Sequence, residues 1–323
     1  MIKKSEMEKE IMSKKNRIKD YLDLFRFSLN ILACVAVLVA AFIVHVLRGN
    51  KADFIEFIFN NGILDWIGLI FGLLATIMLS AAIQSLNDAY DVEVDIANKR
   101  FDRPIARGAF TREYVIFLSN SLFIISVSII ILLSFIYSIT PILFVSTLVF
   151  VFIGIGYNYI KHMGFIGNIW VSLGYVAPLF IGFALFNPRE IIVIHAAAYM
   201  LSATFFLAIG REIIKDIQDY KGDQEKDLKS LAITLGPKKA AFVSLIFFVL
   251  ASISCALVGL LIYKNVVFWV FFLIMISLLC LTEYIVLTEG TQIEGGKKAR
   301  KYTRWTLWIA LGAFFFGIFF VNN

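Results

Sequence analysis

Charge is scarce along this 323-residue chain: Asp, Glu, Lys and Arg together make up 17% of it, where soluble domains carry roughly 25%. A water-soluble enzyme of this length is excluded on that ground. Cysteine is almost as sparse. Cys34, Cys255 and Cys280 all fall inside apolar runs, which excludes a disulfide framework built on paired loop positions. The three histidines, His45, His162 and His195, are scattered without the i, i+4 pairing of a helical zinc site, so any metal here would be held by oxygen. Only 5 prolines interrupt the chain. The formal charge of +6 is of the size that basic residues flanking membrane spans produce, and no nucleic-acid partner is expected from it.

What the chain has in abundance is apolar residues, 60% of the total including 32 Phe, gathered into long runs. Nine runs, near 27–47, 63–86, 114–136, 141–160, 165–186, 191–210, 240–262, 266–287 and 305–321, are each long enough to cross about 30 Å of hydrocarbon as a helix. The fold class expected is therefore all-α, a polytopic membrane protein. Residues 1–25 are rich in Lys and Glu and read as a polar cytoplasmic tail, not a cleaved signal; residues 26–323 form the membrane domain. With nine spans, 26 of the 30 Lys and Arg residues lie on the side of the N-terminus. By the positive-inside rule that side is cytoplasmic and the C-terminus is outside.

Two acidic segments stand out, 128 positions apart. Asn87 to Asp95 carries Asp88, Asp91 and Asp95; Lys215 to Asp223 carries Asp216, Asp219 and Asp223, with the same spacing of 0, 3 and 7. On a helix those positions share one face, where three like charges repel. Each segment follows an even-numbered span, so both face the cytoplasm, and the second stripe repeats the repulsion instead of relieving it. Divalent cations resolve it. Carboxylate oxygens suit Mg2+, which shares one or two protein carboxylates with waters and substrate phosphates, so two such stripes fit a diphosphate bridged by Mg2+.

Cationic donors for a diphosphate lie close in sequence: Arg26 at the entry to the first span, Arg103 and Arg107 in Asp102 to Gly108, Lys161 after span four, and Arg211 and Lys215 at the end of span six. Each could equally be a topology determinant or, for Arg26, a snorkelling anchor. Tyr157 sits four residues before Lys161, on the same helical face, and could donate its hydroxyl to a phosphate oxygen or leaving group.

In these residues the chain resembles the intramembrane prenyltransferases of the UbiA superfamily. The family's first aspartate-rich motif is matched by Asn87, Asp88, Asp91 and Asp95, and its second by Asp216, Asp219 and Asp223. Its Tyr-x-x-x-Lys element is matched by Tyr157 and Lys161, and its Arg-Pro-(Ile or Leu) loop by Arg103, Pro104 and Ile105. The resemblance implies nine helices around a central cavity open to the cytoplasm and laterally to lipid, with Mg2+ and an isoprenyl diphosphate beneath cytoplasmic caps. It places Asp91, Asp219, Tyr157 and Lys161 at the reaction centre and Asn87 among the substrate contacts. No obligate protein partner is implied.

Family members prenylate aromatic rings or the hydroxyl of geranylgeranylglyceryl phosphate. The Met-x-Arg-Thr that follows the first motif in the haem-directed branch is absent, and Ile-Ala-Asn-Lys-Arg-Phe stands there. Arg107 occupies a position where aromatic-acceptor members have Ser, which suits an acceptor carrying its own phosphate. The chain is most similar to the archaeal ether-lipid branch, so transfer of a geranylgeranyl group to this lipid phosphate is expected, with an aromatic quinone precursor as the alternative acceptor. Ala106 replaces the second Pro of the loop and Phe27 stands where many members have Pro. A divalent-cation transporter using the same carboxylates would need ionisable residues along its path, and the interiors of spans two to seven are nearly free of them. A phosphoalcohol transferase would need Asp-Gly and Ala-Arg steps, which are absent around Asp88 and Asp216.

Overall fold

The structure is a computed structural model that describes residues 17–50, 52–59, 63–97, 101, 103–136, 141–160, 163–185, 189–225, 229–289 and 293–321; a few side chains within these ranges, that of Tyr157 among them, lie outside the description. Nine helices of at least 20 residues occur among the described residues: α1 (Phe27–Leu47), α2 (Ile63–Tyr90), α3 (Arg112–Ile136), α4 (Pro141–Ile160), α5 (Phe165–Ala184), α6 (Ile191–Glu225), α7 (Pro237–Leu257), α8 (Val266–Glu289) and α9 (Ile293–Ile318). Short helices at Phe54–Phe59, Val92–Ala97 and Leu231–Leu235 join them. Seven of the nine, all except α4 and α9, are long and apolar enough in their described residues to cross a membrane. The first turns of α9 carry Lys297, Lys298, Arg300, Lys301 and Arg304, which dilute its apolar stretch.

The chain forms two compact units, Met1–Val35 with Leu69–Ser138, and Ala36–Gly68 with Ile139–Asn323. In the first unit α2 and α3 are joined through small polar side chains. Ser85 Oγ lies 2.8 Å from Ser119 Oγ, and Ser126 Oγ donates to the Ala75 carbonyl at 2.9 Å. In lipid there is no hydrophobic drive to bring helices together, so close packing of such residues and hydrogen bonds between helices take over that role. The segment 17–24 is helical, and its Leu24 is fully buried with Ala89, Ile105 and Val115. The end of the polar tail is thus a packed part of this unit.

In the second unit α6 is central: it packs against α5, α7 and α9, while α4 packs on α5 and α8 on α9. The second half of α1 meets α5 where Gly182 leaves room, since a Cβ there would come within 2.4 Å of the Val37 carbonyl oxygen. Phe42 is fully buried and its ring lies between 5.1 and 5.9 Å from those of Phe54, Phe57, Phe315 and Phe319. The last turn of the α7 rod widens into a π-helix at Val258–Tyr263, and the Tyr263 hydroxyl donates to the Phe314 carbonyl on α9 at 2.8 Å.

Candidate active site: two aspartate stripes and their cations

The first stripe leaves α2 without losing the helical register. The Asp91 amide donates to the Asn87 carbonyl at 2.9 Å and the Asp95 amide to the Asp91 carbonyl at 2.8 Å, so the i, i+4 ladder runs through the bend at Asp91 into the short helix Val92–Ala97. Asp88, Asp91 and Asp95 therefore share a face, as their spacing predicts. Asp88 is 1% exposed and Asp95 4%, with Asn87 also buried. A buried carboxylate needs partners, and Asp88 has two arginines. Arg26 Nη2 donates to Asp88 Oδ1 at 2.5 Å; Arg103 Nη1 donates to Oδ1 at 3.1 Å and to Oδ2 at 3.4 Å.

Three separate segments converge to make this clamp. Arg26 adopts φ 46°, the left-handed conformation, at the corner between segment 17–24 and α1, and Asn30 fastens that corner by donating to the Phe25 carbonyl at 3.0 Å. Arg103 stands before Pro104, which disfavours helix at its position, and a compact turn follows in which the Arg107 amide donates to the Arg103 carbonyl and the Ala109 amide to the Pro104 carbonyl. The Nε atoms of Arg26 and Arg103 are buried with no hydrogen-bond partner among the described residues. Arg107 Nη2 donates to Asp20 Oδ1 at 2.5 Å and Asp23 Oδ2 at 2.9 Å, which ties the helical segment 17–24 to the loop.

The second stripe lies wholly on α6, which continues 15 residues beyond the apolar run that ends near 210. Asp216 Oδ2 accepts from Asn168 Nδ2 at 2.9 Å and from the Leu231 amide at 3.3 Å. Gly164, with φ 58°, opens this corner: a Cβ there would come within 2.9 Å of the Lys229 carbonyl oxygen, so only glycine lets the start of α5 approach the loop after α6. Asp219 and Asp223 are part-buried.

Beside this stripe is a buried ionic network. Arg211 Nη1 donates to the Tyr175 hydroxyl at 2.5 Å and to Glu212 Oε1 at 2.6 Å, and its guanidinium lies 5.2 Å from the Tyr175 ring centre. Lys215 Nζ meets Glu212 Oε2 at 3.3 Å. Arg300, on the first turns of α9, completes the group. Burial lowers its basicity, as does neighbouring Arg211, while Asp219, Glu212 and Tyr175 work in the opposite sense. Its Nε is also buried and has no partner among the described residues.

Arg26, Arg103, Arg211 and Lys215 thus lie beside the acidic segments, as the sequence predicts. Asn168, Tyr175, Glu212 and Arg300 were not anticipated. Glu212 and Lys215 form an i, i+3 pair that a search for opposite charges on one helical face would have found. Asn168, Tyr175 and Arg300 come from other helices and left no local signal. The side chain of Tyr157, on α4, and the whole of Lys161 lie outside the described residues.

No three carboxylates, imidazoles or thiols converge into a ready cation cage among the described residues. That arrangement is compatible with Mg2+, which is commonly bound by one or two carboxylates and completes its shell with water and substrate phosphate. The donors are hard oxygens throughout, and beside them stand the Nε atoms of Arg26, Arg103 and Arg300, which have no partner among the described residues. The residues fit a metal–diphosphate ligand.

Comparison with known proteins agrees with this chemistry. The profile of the UbiA prenyltransferase family matches residues 57–308. Digeranylgeranylglyceryl phosphate synthase of Archaeoglobus fulgidus is 29% identical over 262 residues, covering 78% of this chain and 84% of the relative. Among solved structures, one of a digeranylgeranylglyceryl phosphate synthase aligns with a TM-score of 0.69 at 21% identity, covering 94% of this chain and 99% of the other. A UbiA homolog from Archaeoglobus fulgidus bound to GPP and Mg2+ aligns with a TM-score of 0.61 at 18% identity, covering 91% and 99%.

Proposed function

The chain belongs to the UbiA prenyltransferase family, and from that premise we propose that it transfers a geranylgeranyl group from geranylgeranyl diphosphate to the hydroxyl of geranylgeranylglyceryl phosphate, releasing diphosphate in archaeal ether-lipid synthesis. The observation that carries the choice of acceptor is the likeness, over 84% of the relative's length, to a synthase named for that product. The cations agree with it, because Arg211, Lys215 and Arg300 gather around one buried glutamate, Glu212, in a setting suited to phosphate.

Asp88, Asp91, Asp95, Asp216, Asp219 and Asp223 would hold Mg2+, with Asp88 also orienting Arg26 and Arg103. When bound, Mg2+ supplies charge neutralisation at the leaving diphosphate. Arg26 and Arg103 hold the diphosphate through donors that the Asp88 clamp keeps in place before substrate arrives, which is electrostatic preorganisation at the leaving group. Tyr157 and Lys161 would add donors for the diphosphate, and Asn87 would position the substrate. The allylic C–O bond breaks with its electron pair going to diphosphate, the acceptor hydroxyl oxygen bonds to the freed carbon, and that hydroxyl passes its proton to the released diphosphate or to a carboxylate of one stripe. Apolar walls keep water from the allylic cation until the acceptor attacks.

The nine-span topology, with the N-terminus and the site on the cytoplasmic side and the C-terminus outside, belongs to the same proposal. The test is to incubate purified protein with geranylgeranyl diphosphate and Mg2+, offering either geranylgeranylglyceryl phosphate or 4-hydroxybenzoate, and to weigh the products. Prenylated lipid phosphate is expected, and its loss in Asp91→Ala and Asp219→Ala variants that keep their melting temperature. Product from 4-hydroxybenzoate alone would assign the aromatic reading; full turnover in both variants would overturn the metal assignment.

A further inference from the structure

Away from the aspartate stripes, α7 and α8 enclose a groove of about 320 Å3, within the size range of small-molecule sites. Its walls are mostly apolar, with Leu245, Phe248, Val249, Ile253, Phe272 and Ile276 among them, and hold one acidic residue, Glu283. Glu283 is 6% exposed and lies six residues before the end of α8, about 9 Å along the helix and inside the apolar span. An ionisable group at such depth is costly and calls for a partner. Only half of the carboxyl has one. Ser244 Oγ lies 2.7 Å from Oε1 and 2.7 Å from the Ala241 carbonyl, with one proton to share between them, while Oε2 is buried with no hydrogen-bond partner among the described residues. The other hydroxyl on the groove wall, Ser252, donates to the Phe248 carbonyl at 2.7 Å and is not available to it.

We propose that this groove binds a single isoprenoid or alkyl chain ending in a hydroxyl, the chain lying along the apolar walls and the hydroxyl bonding to Glu283 Oε2, which is enclosed in this structure and reaches the groove on rotation of the carboxyl. The occupant's apolar body follows from the lining, and from Val249 and Ile253, which are half-exposed. Its head follows from the carboxyl. A hydroxyl can donate to a carboxylate and accept from a carboxylic acid, so it satisfies Oε2 in either protonation state; an ammonium can only donate. The reading is independent of the prenyl-transfer site and of the acceptor proposed above.

Cys280 makes the test direct, because it lines the groove and is exposed, whereas Cys255 is buried and Cys34 lies on another helix. The full-length protein in detergent would be treated with N-ethylmaleimide, and alkylation of each cysteine followed by peptide mass spectrometry. A saturated C20 isoprenoid alcohol should slow Cys280 in proportion to its occupancy of the groove and leave Cys34 unchanged. In buffer alkaline enough to keep Glu283 ionised, the methyl ether of the same chain, which cannot donate to a carboxylate, should need about fivefold more ligand for the same protection, the factor that one buried hydrogen bond contributes, and Glu283→Met should abolish the difference between alcohol and ether. That variant keeps side-chain volume, and Ser244 retains a bond to the Ala241 carbonyl at 2.7 Å, so folding is preserved. Glu283→Leu serves as a second apolar replacement should Met prove unstable. Equal protection by alcohol and ether, or protection that survives loss of Glu283, would overturn the proposal, and stronger protection by the matching amine would overturn the hydroxyl assignment.

Discussion

Asp88 and Glu212 play parallel parts at the two acidic segments: each is a nearly buried carboxylate that holds two cations in place. Removing such a partner leaves uncompensated charge behind, a change that costs about 3–5 kcal/mol when the site is fully buried and less where the cations reach water, as Arg26, Arg103 and Lys215 partly do. Glu212→Ala should therefore lower the melting temperature, read by thermal unfolding in detergent, more than Glu283→Met does. Arg300 differs in kind, because its guanidinium makes no hydrogen bond or close ion pair among the described residues, whereas Arg26, Arg103 and Arg211 each donate to a carboxylate. Arg300→Ala should raise the KM for the phosphate-bearing acceptor at least tenfold, roughly the 1.5–3 kcal/mol of a charge-assisted bond, and change kcat less, with Arg300→Lys recovering part of the loss. Steady-state kinetics with varied acceptor separates this from a purely structural role, which would lower stability without moving KM.

At the scale of elements, glycine sets how closely the helices of the second unit approach. A Cβ at Gly182 would meet the Val37 backbone oxygen at 2.4 Å and Ala40 Cβ at 2.7 Å; at Gly210 its nearest neighbours would all be atoms of the Phe248 ring, the first at 2.4 Å. Backbone cannot move aside, whereas a ring can turn. Gly182→Ala should thus destabilise by about 1–3 kcal/mol and Gly210→Ala by less, an order checked by melting temperatures of the two purified variants. Both acidic stripes were legible from spacing alone because a helical ladder carries them: i, i+4 bonds run through the bend at Asp91, and α6 is unbroken to Glu225. The clamp on Asp88 was only half legible. Arg26 and Arg103 were identified as cations for a phosphate, but their shared carboxylate depends on a left-handed residue and a proline turn that bring together positions 62 and 15 residues from Asp88. Arg107 shows the same limit, since its bonds to Asp20 and Asp23 span more than 80 residues.

For the whole molecule, the distribution of charge dictates orientation. A cysteine introduced at Lys229 should react with a membrane-impermeant maleimide only in inside-out vesicles, and one at Arg189 only in right-side-out vesicles or intact cells; the reverse pattern would overturn the topology. The class of the protein, its long apolar helices, both aspartate stripes and the prenyltransferase family were written in the sequence, because each depends on composition or on spacing within one helix, where 3.6 residues per turn determines which side chains are neighbours. Which cation meets which carboxylate, how Tyr175 and Arg300 join Glu212, and how Glu283 comes to head an apolar groove were decided by tertiary structure. Those pairings join helices distant along the chain, and the cost of burying an unpaired charge in an apolar surrounding selects the packing that brings partners together.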